Sequence, residues 1–152
     1  MNPQYRVTKS FPSVLVAFAE KALYDSTPLT QRSIRSGENM PQDPKDRPIA
    51  IVAMGGHAFM QPGEKGTIED HERNAASIAG HLMTLVERQY NLVITHGNGP
   101  QVGNSLLRNE MSRETVPTMP LDVLVADTAG SLGYIMQQAM LNQLRRRHIE
   151  RW

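Results

Sequence analysis

The stretch YNLVITHGNGPQVG, from Tyr90 to Gly103, constrains the fold more than any other part of the chain. Leu92-Val93-Ile94-Thr95 is a short β-branched run suited to a buried parallel strand, and it ends at His96 in a cluster of turn formers. Asn98 is suited to cap a helix, and Gly99-Pro100 suits a first helical turn, where proline's missing N–H costs nothing. The order is therefore strand, tight loop, helix. Gly97 and Gly99 carry no side chains, so an anion can approach backbone N–H groups at the positive end of that helix. The bland alternative is that Gly-Asn-Gly-Pro is only a turn. Gly97, Gly99 and Gly103 miss the G-x-G-x-x-G spacing by one residue and no acid closes a following second strand, which rejects a dinucleotide fingerprint. No G-x-x-x-x-G-K-[ST] occurs, which excludes a P-loop.

A second apolar run, Ile49-Ala50-Ile51-Val52-Ala53-Met54, ends in Gly55-Gly56 and predicts a second buried strand. Open parallel sheets bind ligands outside the carboxyl ends of their strands. Two glycine-bearing ends therefore form one shared site if the strands are neighbours. Between them, Thr67 with Asp70 reads as a capping box with the shorter acid, and Ala75, Ile78, Ala79, Leu82, Leu85 and Val86 recur at helical steps to about Gln89. Strand, helix and strand make one βαβ unit. A further helix, from about Pro100 to Met111, is expected to bury Val102 and Leu106, and Ser112 to Pro120 reads as a linker. From Leu121 a long helix carries Val125, Ala129, Leu132, Met136, Met140 and Leu144 on its apolar face, with Gly130 and Gly133 leaving space for a backbone or a ligand. Arg145-Arg146-Arg147-His148 falls where a helix C-terminus favours cations.

Residues 1–48 hold six of the ten prolines and read as a flexible extension, with Thr27 to Pro48 as linker. Within it, Val14 to Tyr24 has the spacing for three turns of helix; as a signal peptide its apolar core is cut by Glu20 and Lys21. Residues 49–152 carry the globular part. A net charge of +1 over 152 residues and 5% aromatic content give no footprint for DNA or RNA. Cysteine is absent, which removes disulfides, thiolate metal sites and a cysteine nucleophile and fits a cytoplasmic protein. No apolar run reaches bilayer-spanning length, and His71 and His81, ten residues apart, make no metal-ligand pair.

Taken together, Ala53-Met54-Gly55-Gly56 with Ala58, Gly63-Glu64 with Gly66-Thr67, THGNGPQVGN from Thr95 to Asn104, Pro120-Leu121-Asp122 and Gly133-Tyr134 resemble the N-terminal half of carbamate kinase, in the amino-acid kinase superfamily. Most of that superfamily carries lysine where Ala53 stands, which favours carbamate kinase within it. The resemblance implies an α/β, parallel-sheet αβα sandwich, here incomplete, with the C-terminal nucleotide-binding half absent. It implies phosphotransfer between ATP and carbamate on one side and ADP and carbamoyl phosphate on the other, with Mg2+, in arginine and carbamoyl phosphate metabolism. Gly55, Gly56, His57 and Asn98 are the implied catalytic positions, and Gly97, Gly99, Pro100 and Gln101 the implied substrate-binding ones. The implied partners are the small-molecule substrate and either a second copy in a homodimer or a complementing C-terminal half, with no nucleic acid and no membrane. His57 replaces the family's asparagine, and Ala129 its usual glutamine. The family's catalytic lysines lie in the other half; the matched region holds only Lys65, which does not correspond to them by position. The chain alone is expected to be marginally stable, since two strands rarely suffice.

Overall fold

A computed structural model describes residues 5–11, 14–19 and 44–150. Four strands form one sheet in the order β1 (Tyr5–Phe11), β2 (Val14–Ala19), β3 (Ile49–Met54), β4 (Asn91–His96). The β3–β4 pair is parallel, from Ile49 opposite Asn91 to Met54 opposite His96, as the two apolar runs require. The other pairings are antiparallel. Val14–Ala19 is thus a strand and not the helix expected from Val14 to Tyr24: its β-branched and aromatic residues pair residue by residue with β3. Residues 20–24 of that expected helix and 27–43 of the expected linker lie outside the described residues.

The helices are α1 (Ile68–Glu87), α2 (Gly99–Met111) and α3 (Leu121–Arg146). α1 starts where the sequence places it, because the Thr67 hydroxyl accepts from Asp70 N at 3.2 Å while the Asp70 carboxylate accepts from Thr67 N at 3.1 Å. Its residues Ala75, Ala79 and Leu82 pack with Leu132, Ile135, Met136 and Ala139 of α3 against Val52 and Met54 of β3, and Met83 and Val86 are buried as well. Leu92 and Ile94 of β4 complete that core from the edge.

Strand alternation sends Ile51, Ala53, Val93 and Thr95 to the opposite face of the sheet. Here β4 departs from the expectation of full burial: Val93 is 46% exposed, because no described helix covers this face and β4 ends the described sheet. The other helix faces are corrected too. On α3 the buried positions are Leu124, Thr128, Leu132, Ile135, Met136 and Ala139, so Val125 and Ala129 sit one step off the packed stripe. On α2 only Gln101 is buried; Leu106 is exposed and Val102 half-buried, since α2 meets α3 and the turn after β3 without lying on the sheet. Gly130 has open space around it, and a methyl at Gly133 would meet His96 Nε2 at 3.8 Å, an ordinary contact.

Candidate active site

The parallel register puts the ends of β3 and β4 side by side, and both glycine turns therefore open onto one place. After Met54, Gly55 is extended and Gly56–Ala58 make a single 3-10 turn, with Ala58 N donating to Gly55 O at 2.9 Å. After His96, Gly97 N donates to Met54 O at 2.8 Å, extending the ladder by one bond. That amide is occupied and is not offered to a ligand. The N–H groups of Asn98 and Gly99 head α2, where no carbonyl four residues earlier lies in the helix to receive them; Pro100 follows without one.

The two turns touch. A methyl on Gly56 would stand 2.8 Å from Pro100 Cδ and 3.0 Å from Gly99 N, closer than packed atoms allow. Glycine at 56 is thus required by the approach of the α2 N-terminus. A methyl on Gly97 would lie 3.4 Å from Gly56 N. Gly55, His57, Gly97 and Gly99 are exposed around this contact, and Gly56 is buried beneath them.

Asn98 occupies the cap position but does not cap α2 with its side chain. Its Nδ2 donates instead to Val125 O at 2.8 Å and to Thr128 Oγ1 at 2.7 Å on α3. The Thr128 hydroxyl in turn donates to Leu124 O at 2.9 Å. The asparagine therefore straps the turn to α3, and any part it plays at a ligand rests on its backbone. Gln101 is 6% exposed, with Nε2 donating to Gly56 O at 3.1 Å. The side chain implied as a substrate contact is buried under the turn.

A second layer supports the site from the loop before α1. Glu64 accepts from Gln61 N at 2.7 Å, from Asn74 Nδ2 at 2.7 Å and from Arg73 Nη2 at 2.6 Å. Asn74 also donates to Phe59 O at 3.1 Å. The Gln61 amide, then Arg73, hold the Glu64 carboxyl below its ordinary range, and Arg73, then the Thr67 amide, do the same for Asp70. Phe59, fully buried, meets the His96 ring edge-on at 5.7 Å. Burial lowers the pKa of His71, whose Nε2 lies 3.5 Å from Gln101 Nε2.

Thr128, His71 and Glu64 as a loop brace are residues that sequence patterning missed. Thr128 was detectable as the polar residue on a helix stripe phased one step away from the expected one. His71 gave no signal, because its neighbour Gln101 lies thirty residues on. Among the described residues no three His, Cys, Asp or Glu side chains gather to hold a metal ion, and no helix is long and apolar enough to cross a membrane.

A parallel strand pair opening on two glycine turns and a helix N-terminus is an α/β arrangement with the geometry to receive an anion at the helix head. No family model matches the chain. Carbamate kinase from Pyrococcus horikoshii is 43% identical to it over 103 residues, covering 66% of this chain and 33% of that enzyme. Carbamate kinase from Escherichia coli K12 is 47% identical over 93 residues, covering 61% and 31%. Among solved structures, carbamate kinase from Giardia lamblia bound to AMP-PNP superposes with a TM-score of 0.62 at 37% identity, over 66% of this chain and 34% of that one. The matched part of this chain is a carbamate kinase-like N-terminal portion with an α/β amino-acid kinase fold. The chain spans about a third of the length of the curated relatives it matches.

Proposed function

We propose that this chain supplies the phosphoryl-binding side of a carbamate kinase-type phosphotransferase. The observation that carries the reading is the junction of the Gly55-Gly56 turn with the head of α2, in a chain 43% identical to a carbamate kinase over 103 residues. In the ATP-forming direction an ADP oxygen attacks phosphorus in carbamoyl phosphate, and the bond from phosphorus to the carbamate oxygen breaks. Such transfer asks for positioning and for charge stabilisation on the transferring oxygens. The amides of Gly55, Gly56, Asn98 and Gly99 serve that purpose, with His57 at the rim as a further donor in place of the family's asparagine. Gly97 and Pro100 shape the cradle without donating. Magnesium bound with the nucleotide would neutralise charge between the phosphates; among the described residues no three His, Cys, Asp or Glu side chains gather to hold it.

In this reading residues 49–152 are the substrate-side unit, residues 1–48 are an extension, and the nucleotide is met largely by residues outside this chain. The setting is cytoplasmic carbamoyl phosphate and arginine metabolism. The test is ATP formation from carbamoyl phosphate and ADP by the 152-residue chain, alone and mixed with the C-terminal half of a full-length relative. We expect negligible turnover alone and recovery on mixing. Gly56→Ala keeps its amide but its methyl would push the turn off the head of α2 and misplace the donors on both sides, which should lower the recovered rate by about 10²–10³-fold. Failure to recover any rate on mixing would refute the reading.

A second reading, a noncatalytic binding or assembly protein that keeps the anion cradle, is favoured by one feature. Leu121, Val123 and Val125 are 55%, 38% and 40% exposed at the start of α3. Sedimentation separates the two: self-association that persists in the presence of a complementing half supports the second.

A further inference from the structure

The cradle has two sides from distant parts of the sequence, and their spacing decides whether both can reach one anion. The Gly55–Gly56 turn hangs from β3, whereas Asn98 and Gly99 belong to α2. One side chain crosses between them at the buried level. Gln101 Nε2 donates to Gly56 O at 3.1 Å, and the same nitrogen lies 3.5 Å from His71 Nε2 on α1. Gln101 Oε1 is buried with no partner among the described residues. It would lie 3.0 Å from a methyl placed on Gly56, so the carboxamide leaves little room for a side chain there.

We infer that Gln101, backed by His71, is a positioning residue that sets how closely the Gly55–Gly56 turn stands to the head of α2. The carboxamide can hold only one orientation. Turned over, it would bring Oε1 against Gly56 O, two acceptors facing each other, and leave the carbonyl without its donor. In the observed orientation Nε2 has two hydrogens, one for Gly56 O and one directed at an imidazole nitrogen that must be an acceptor. A protonated His71 would present a donor to a donor and weaken the brace. Burial holds the pKa of His71 down, against the pull of Asp70 on its own helix and Glu64 in the preceding loop and with the help of Arg108 on α2, so the imidazole is neutral near pH 7. The unpartnered Oε1 separates positioning from bulk stability. An unsatisfied buried acceptor is unfavourable to folding, so removing the whole amide offsets the lost Gly56 bond. The assignment rests on the anion-cradle reading of the site but not on turnover.

The test follows inorganic phosphate binding to the full 152-residue chain, together with the backbone amide signals of Gly55, Gly56 and Gly99 and the thermal midpoint. Gln101→Met keeps length and removes both polar atoms. Phosphate binding is expected to weaken about tenfold and the Gly55 and Gly56 signals to move, while the midpoint and the signals of α1 stay. Gln101→Glu covers a failure of the first variant to fold: its carboxylate cannot donate to Gly56 O at neutral pH, and binding should improve as acid protonates it. His71→Gln keeps an acceptor in place, so binding should match the parent at pH 7.5 and lose the parent's weakening on the acid side. Unchanged affinity in both Gln101 variants overturns the assignment. So does a weakening that only follows a fall in midpoint, and so does a parent chain that binds no phosphate. Intact phosphate effects without any transfer of phosphate on complementation would count against the phosphotransferase reading and leave this assignment standing.

Discussion

Helices α1 and α2 each follow a strand that ends in glycine, and each has an apolar side, yet they are held in different ways. α1 buries Ala75, Ala79, Leu82, Met83 and Val86, the first three of them against the sheet and α3. α2 buries Gln101 alone and leaves Leu107 and Met111 60% and 80% exposed. α1 is a core helix whose placement follows from hydrophobic burial. α2 is anchored at its head, by the Gln101 amide and the Asn98 strap to α3, and its remaining length contributes little to the core. The contrast teaches that the site is organised by side-chain hydrogen bonds at one helix end, where small displacements matter, and the fold by apolar area elsewhere.

The strongest way to break the contrast is a matched pair of leucine truncations. Leu82→Ala should cost about 2–5 kcal/mol in urea unfolding, since a cavity opens in the core, whereas Leu107→Ala should stay within about 0.5 kcal/mol. Equal losses would mean that α2 is packed as firmly as α1.

A smaller effect sharpens the comparison at the helix heads. Thr67→Ala removes one half of the capping box of α1 and should cost about 1 kcal/mol. Asn98→Ala should instead loosen α2 from α3 through its two lost donors, seen as faster amide exchange over residues 99–104 with α1 unchanged. Uniform exchange across both helices after Asn98→Ala would remove the distinction.

The smallest effect is on pH. Burial holds the folded pKa of His71 below its free value of 6.5, so the unfolded chain takes up this proton more readily. The associated stability is full above about pH 6.5 and is lost as pH falls through the folded pKa. Glu64 and Asp70, also lowered from 4.5 and 3.8, add a second loss below those values. Thermal midpoints from pH 8 to 3 should show a shallow first decline that His71→Gln removes. A flat profile down to pH 5 in the parent would exclude the first component.

Much of this was legible in the residues. The parallel pairing of Ile49–Met54 with Leu92–Thr95 followed from two apolar runs bounded by glycine, and the start of α1 from Thr67 and Asp70, because both signals are local and physical. The motifs also led to the carbamate kinases found among the relatives. The apolar stripe of α3 was read correctly at Leu132 and Met136 but one step off at Val125 and Ala129, because Val125 and Leu124 are both apolar and only packing decides which points inward. The role of Asn98 changed for a similar reason. Its type suits a cap, but Val125 O and Thr128 Oγ1 compete for its amide from a helix nearly thirty residues away.

The sequence by itself determined β3, β4, the helix starts and the glycines at the ends of those two strands, since each depends on conformational preferences acting over a few residues, whereas β1 and β2 were not legible in it. Only the tertiary structure decided that Gly56 must be glycine because α2 presses on it, that Gly97 gives its amide to Met54, and that Gln101 is buried beneath the turn. Those facts depend on distances between segments some forty residues apart. Such distances are set by how α1, α3 and the sheet pack together, and no local pattern encodes them.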